Sequence, residues 1–197
     1  MNTITYFHRI NAPLGTMLLV ATDHALKVID FEDARYVPKI DTHWREDGTR
    51  PLLRAACEQL AQYFAGERAQ FDLPLAPEGT PFQQAVWRAI CTVPAGETIA
   101  YRELAARAGH PGSMRATGAA TGRNRIAIVI PCHRIVGSDG SLTGYAGGLE
   151  RKRALLALEA NKWGQTLLFQ EAGSGTNLPA AVKDGRQGAV IGGMSGV

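Results

Sequence analysis

The stretch YRELAARAGHPGSMRATGAAT, residues 101–121, decides the fold of the half-chain that contains it. Residues 101–108 read as a short helix closed by Gly109, His110-Pro-Gly-Ser113 makes a turn, and Ser113 is a natural N-cap for a second helix over 114–121. Helix, glycine-containing turn, helix is the helix-turn-helix pattern, although the same hairpin occurs in proteins that never meet DNA. The second helix narrows the reading. A helix that reads base edges in the major groove needs several polar side chains, and MRATGAAT offers Arg115 among alanine, glycine and threonine. Small residues would instead let the backbone approach a narrow groove while one long cation wedges into the base stack. Tight helix packing with an exposed arginine is the plain alternative, and this segment alone does not separate the two.

Upstream, FDLPLAPEGTP (residues 71–81) is rich in proline and glycine and reads as a linker, with a domain boundary near Gly79. Before it, residues 3–33 alternate short apolar segments with turn signals such as Pro13-Leu-Gly15, which predicts a β-meander. Residues 50–68 place Leu52, Leu53, Ala56, Leu60 and Phe64 at helical spacing, an amphipathic helix for that sheet, with Cys57 as a small core residue. After the linker, PFQQAVWRAICTV predicts a helix with Phe82, Val86, Trp87 and Ile90 on one face and Cys91 in the core. The division is thus 1–79, 80–165 and a tail, 166–197. The glycine-rich tail is too poor in apolar surface to order itself and is expected to be disordered or a cloning extension.

With 45% hydrophobic residues in 197, the chain can bury a real core. No apolar run approaches the roughly 20 residues of a membrane helix, and the first residues lack a signal-peptide profile, so a soluble cytoplasmic protein is expected. Three cysteines (Cys57, Cys91, Cys132) without CxxC or Cys/His ligand spacing argue against a disulfide frame or a structural zinc. The net charge of +3 hides an asymmetry: residues 1–80 hold 8 Lys and Arg against 11 Asp and Glu, net −3, whereas 81–162 hold 11 against 5, net +6. That basic middle is either a nucleic-acid face or a solvated surface.

The chemistry lies in IAIVIPCHRI, residues 126–135. Residues 126–130 read as a strand that Pro131 ends, delivering Cys132 at its tip, with His133 and Arg134 beside it to favour thiolate over thiol. Gly137, Gly140, Gly144, Gly147 and Gly148 then make a loop able to wrap a ligand, with Tyr145 as its aromatic. In a helix over 149–160, Glu159 shares the stripe of Leu155 and Leu156, so its carboxylate faces the core, where a histidine would serve as partner. Cys132, His133 and Glu159 form a candidate nucleophile, base and orienter. Arg151, Lys152 and Arg153 crowd the N-terminal turn of that helix, where the dipole disfavours cations unless a phosphate binds.

The segments IPCHRI, GYAGG and GETIAYRELA, and the spacing among them, resemble the 6-O-methylguanine-DNA methyltransferases, also called methylated-DNA–protein-cysteine methyltransferases, and in particular their bacterial stand-alone type; the likeness is most specific over residues 80–163. The resemblance implies an α+β fold, with a small N-terminal antiparallel sheet and helix of RNase H-like kind before a mostly helical, winged-helix-like domain that carries the helix-turn-helix. It implies a monomer that repairs double-stranded DNA containing alkylated guanine, bound through the minor groove, by irreversible single-turnover transfer of the alkyl group to Cys132. Activity on 4-O-methylthymine stays open. His133 would act as base through a bridging water, Glu159 would hold the imidazole, and Asn124 would be the hinge bracing the helix-turn-helix against the active-site loop. Tyr101 would supply a phenolic proton to the guanine ring and crowd the rotating phosphate.

By the same resemblance Arg115 would replace the flipped nucleotide in the stack, and Ser113, Ala116, Thr117, Arg123 and Lys152 would meet the DNA. Tyr145, Ala146, Gly147 and Ile135 would line the base pocket. No cofactor, membrane or metal is expected; His8, His24 and His43 lack ligand partners. Ala146 and Ala127 stand where some relatives have serine and proline, which bears on substrate breadth. The rival readings are a cysteine hydrolase, which would turn over, and a non-catalytic binder of alkylated DNA, which normally lacks the acceptor thiol.

Overall fold

The computed structural model describes residues 3–164; the reading of the tail lies outside them. The meander forms where the turn signals put it, as β1 (Tyr6–Ala12), β2 (Gly15–Ala21) and β3 (Leu26–Phe31), each antiparallel to the next. A two-residue strand that the sequence did not announce, β4 (Arg45–Glu46), pairs parallel with β1 and gives the order β3-β2-β1-β4. The sheet is covered on both sides, which is why β2 is buried along five successive residues, Met17 to Ala21. Met17, Leu19, Ile29 and Phe31 join the main core, whereas Phe7, Leu18, Val20 and Val28 pack under Val37, Ile40 and Trp44.

Helix α1 (Pro51–Ala65) starts on a proline, whose missing N–H costs nothing in a first turn, and ends at Gly66 in the left-handed region. It buries Leu53, Ala56, Leu60 and Tyr63, with Leu52, Cys57 and Phe64 packed half-buried against the core. The proline-rich segment that follows is docked. Leu75 bridges Leu26, through Leu26 N to Pro74 O at 2.8 Å and Ala76 N to Leu26 O at 2.8 Å. On the same strand, Ile29 N donates to Arg125 O at 2.9 Å and Ala127 N to Ile29 O at 2.6 Å. One apolar core therefore runs from Tyr6 through Trp87 to Leu155, across both parts of the chain.

Thr80 and Gln83 cap each other's backbone at the start of α2 (Pro81–Ile90). The helix-turn-helix is α3 (Tyr101–Arg107) and α4 (Met114–Gly122), with Gly109 at φ 80 in the turn. Ser113 occupies the N-cap position but its side chain makes no capping bond. On the inner side of α4, Thr117, Ala120 and Thr121 are buried, Ala120 O accepts from Trp87 Nε1 at 2.9 Å, and Gly118 faces the Tyr101 ring. Met114, Arg115, Ala116 and Ala119 face out. Cys91, expected in the core, is exposed, because α2 ends at Ile90 and the cysteine caps it. Helix α5 (Leu149–Trp163) closes the described chain. Among the described residues no helix is long and apolar enough to cross a membrane.

Candidate active site

The apolar run 126–130 does not make the expected strand. Beyond one bridge from Ile126 to Ile29 it turns on itself, with Val129 N bonded to Ala127 O at 2.8 Å and Ile130 N to Ile126 O at 2.9 Å. Asn124 is the reason. Its Oδ1 accepts from Ile126 N at 3.0 Å while its Nδ2 donates to Ile130 O at 2.8 Å, so one side chain supplies the bonds a neighbouring strand would have given. The fold strains Ile128, a β-branched residue at φ 71, by roughly 1–3 kcal/mol. The same Nδ2 lies 3.2 Å from Cys132 Sγ.

Cys132 follows as the first residue of a 3-10 turn, Cys132–Arg134, after which β5 (Ile99–Ala100) and β6 (Ile135–Val136) pair in parallel. Tyr101 begins α3 immediately after β5, and that pairing carries its phenol into the cysteine's neighbourhood. Cys132 is 7% exposed. Burial pushes its thiol up, against the pull of the Asn124 N–H and of Lys152, to about 11. The expectation that His133 and Arg134 favour the thiolate is corrected here. Burial lowers the His133 pKa even against the pull of Glu159, so the ring is neutral, and Arg134 spends its charge elsewhere. The resting sulfur is a thiol.

Arg134 grips Glu159 with two bonds of 2.8 Å, Nε to Oε2 and Nη2 to Oε1, while Nη1 donates to Val93 O at 2.6 Å. Burial would raise the Glu159 carboxyl, yet His133 and Arg134 hold it well below the usual carboxylate range. Tyr63 OH adds a bond of 2.8 Å and Gly96 N one of 3.3 Å. His133 Nε2 lies 2.9 Å from Glu159 Oε1. An ionised carboxylate can only accept, so Nε2 carries the hydrogen and Nδ1 keeps its lone pair. Nδ1 is buried and has no partner. The structure thus buries Cys132, His133, Glu159 and Asn124, joining Asn124 to the sulfur and His133 to Glu159, gives Arg134 a partner other than the one expected, and adds Tyr63, which the sequence reading passed over. Arg134, expected beside the sulfur, holds the carboxylate instead; Tyr63, 96 residues from Glu159, left no local signal.

Tyr101 is half-buried, and its hydroxyl is held up mainly by burial, against a hydrogen bond with Thr143. Tyr145 OH is buried and unpartnered, its proton bound tightly, first by burial and then by the nearby sulfur. Gly147 has no room for a Cβ, which would stand 2.9 Å from the Tyr145 ring and 3.2 Å from Phe31. Ala146 O accepts from Arg35 N at 3.0 Å. Ile135 points into the core; its carbonyl accepts from Lys152 Nζ at 2.6 Å.

Two residues expected to meet DNA are corrected. Thr117 is fully buried under α4, and Lys152 is fully buried with its Nζ on Ile135 O and, at 2.7 Å, on Thr143 O. Arg115 and Ala116 are exposed, Ser113 is half-buried, and Arg123, though exposed, lies 4.5 Å over the Tyr36 ring. Nor does the turn of α5 need a phosphate, because Arg151 pairs with Asp33 and Arg153 with Glu150. Among the described residues no group of three His, Cys, Asp or Glu side chains is placed to hold a metal. Open cavities of 740 and 570 Å³ lie beside the 69–79 segment and share Cys91 in their lining, but neither includes Cys132.

Residues 81–161 match the family model for the 6-O-methylguanine DNA methyltransferase DNA binding domain, and residues 5–77 match that for the 6-O-methylguanine DNA methyltransferase ribonuclease-like domain. A methylated-DNA–protein-cysteine methyltransferase of Methanosarcina barkeri is 48% identical over 79% of this chain and 98% of its own. One from Mycobacterium tuberculosis is 45% identical over 80% of this chain and 93% of its own. The crystal structure of Mycobacterium tuberculosis OGT in complex with DNA superposes with a TM-score of 0.75 at 44% identity, covering 80% of this chain and 94% of that one.

Proposed function

Since the chain belongs to the 6-O-methylguanine DNA methyltransferase family, we propose that it repairs DNA by moving an alkyl group from O6 of guanine to Cys132, once per molecule. The observation that carries the reading is the buried Cys132–His133–Glu159 group, with the imidazole hydrogen committed to the carboxylate and the Nδ1 lone pair left free. The sulfur gives its proton to that nitrogen through a bridging water as the S–C bond forms and the C–O bond breaks. The electron pair goes to the guanine oxygen, the Tyr101 phenol passes a proton to the ring, and the proton held by the imidazolium returns through water to the phenolate. The net change is a thiol and an alkylated guanine becoming a thioether and guanine. A thioether has no easy way back, so the protein is consumed.

A buried thiol pushed to about 11 suits this scheme. It stays protonated and unreactive until a base fills the pocket, when the neutral imidazole accepts its proton. A guanine within a duplex must leave the stack to reach a sulfur so deep, and a poorly paired alkylated base leaves at least cost. The exposed face of α4, small at Ala116 and Ala119 and cationic at Arg115, suits approach through the minor groove by a monomer. A cytoplasm that keeps thiols reduced is the compartment that fits. We take residues 80–165 as the DNA-binding and alkyl-acceptor part and 1–79 as its support.

The test is intact mass after exposure to duplex carrying 6-O-methylguanine. One added methyl group, mapped to Cys132 and reaching a plateau at one equivalent, is the expected result. Product beyond one equivalent would make the protein a hydrolase; lesion binding with no mass change would make it a passive binder. Cys132→Ser is expected to lose transfer and keep affinity for DNA, measured by mass and by duplex titration.

A further inference from the structure

The guanidinium of Arg151, on the first turn of α5, reaches into the N-terminal sheet. Nε donates to Leu14 O at 2.8 Å, in the turn between β1 and β2. Nη1 donates to Gly147 O at 2.9 Å, in the loop that follows the cysteine. The Asp33 carboxylate, just past β3, takes a forked pair, Nη1 to Oδ1 at 2.8 Å and Nη2 to Oδ2 at 3.0 Å, and the cation sits 4.3 Å over the Phe31 ring. Three segments of chain thus meet on one planar group, an arrangement that uses the fork of donors a lysine lacks. The seat is tight: a Cβ on Gly15, itself at φ 124, would stand 2.9 Å from Nη2.

The loop end it holds has little else. Residues 141–145 carry no helix or strand, and Gly144, Gly147 and Gly148 give the backbone wide freedom. Thr143 is held from the C-terminal side, by Lys152 and Tyr101; past it the outward ties are Ala146 O, which accepts from Arg35 N, and Gly147 O, which accepts from Arg151, and both of these depend on the N-terminal part. Tyr145 lies between Gly144 and those ties, and its ring is set against the Gly147 backbone. We propose that Arg151 is a positioning residue through which the N-terminal sheet fixes the shape of the loop that closes on the extruded guanine. The inference rests on the alkyl-transfer reading and extends it, giving the sheet a share in the rate of chemistry. Without Arg151 the Gly147 and Leu14 carbonyls lose a donor and the Tyr145 wall loosens, a misplacement that costs about tenfold in rate or more.

The test compares wild type with Arg151→Met, Arg151→Lys and Asp33→Asn. Single-turnover rates would be measured with free 6-O-methylguanine and with methylated duplex, alongside affinity for unmodified duplex and thermal melting. Arg151→Met is expected to slow both substrates ~10-fold with duplex affinity unchanged, Arg151→Lys to recover little, and Asp33→Asn to give a smaller loss of the same kind. Unchanged rates would overturn the proposal. So would a loss confined to duplex with weaker binding of unmodified DNA, which makes Arg151 a phosphate contact, or a loss that vanishes when variants are compared equally far below their melting points. If Arg151→Met does not fold, Asp33→Asn decides, its carboxylate being largely exposed. A wild type that takes up no methyl group fails the functional reading itself.

Discussion

Glu159 shows how far one residue could be read from its neighbours in sequence and where that stopped. The helical stripe with Leu155 and Leu156 put its carboxylate in the core, and it lies there fully buried beside His133. What the stripe could not reveal is that Arg134 spends the Nε–Nη2 edge of its guanidinium on the same carboxylate, because adjacency to Cys132 suggested a partner for sulfur instead. The difference decides the charge of the site. A glutamine at 159 would leave Arg134 buried without its counter-ion, at a cost of about 3–5 kcal/mol. Its amide N–H would also face Nε2 and move the imidazole hydrogen to Nδ1, abolishing the base. Glu159→Gln is therefore expected to lower the melting temperature by roughly 10 °C and to slow alkyl transfer ~10²-fold or more. Calorimetry and single-turnover rates measure the two effects, and a variant with wild-type transfer would remove His133 and Glu159 from the mechanism.

Elements were legible wherever a repeating stripe or a paired cap marked them, as in α1, α2 and the helix-turn-helix, because periodic burial and turn chemistry are local properties. The run 126–130 failed for the same reason. Isoleucine and valine in succession favour a strand only if a partner strand supplies the bonds, and the Asn124 amide supplies them first. The glycine and alanine of α4 left two readings, close packing or close approach to a groove: packing holds on the inner side, where Gly118 and Ala120 face Tyr101 and Trp87, while Ala116 and Ala119 face out and leave a surface for the approach we propose. Exposed Met114 beside Arg115 extends that outer face. An arginine that fills the space of an extruded nucleotide matters only when there is a stack to fill. Arg115→Ala is accordingly expected to slow repair of methylated duplex roughly tenfold, since unstacking a step costs a few kcal/mol, while leaving the rate with free 6-O-methylguanine within twofold or so of wild type. Equal losses on both substrates would show the helix acting through the fold instead.

At the scale of the molecule, the joint between the two parts was the least legible feature, because its contacts link residues far apart in sequence: Tyr63 with Glu159, Arg151 with Asp33, and the edge of β3 with residues 125–127. Composition at 71–81 suggested a free linker; its backbone is instead paired to β3. Asp30 belongs to this joint. It is 1% exposed, its Oδ1 accepts from Phe31 N at 2.9 Å and its Oδ2 has no partner. Burial raises its pKa from 3.8 to about 7, partly offset by the Phe31 N–H, Arg151 and Arg125 and reinforced by Asp33, and Cys132 and Tyr145 feel its charge in turn. A carboxyl that binds its proton more tightly in the folded state contributes stability that is fully present below about pH 3.8 and is lost as pH rises through about 7. Above that range the native chain carries an ionised aspartate in its interior. Asp30→Asn keeps the acceptor for Phe31 N and removes the ionisation. It is expected to melt several degrees higher than wild type at pH 8, to keep only a minor part of that advantage at pH 5 and to lose it by about pH 4. Melting curves that run parallel for the two proteins from pH 4 to 8 would mean that water reaches Asp30 and that the joint between the parts is open at this point.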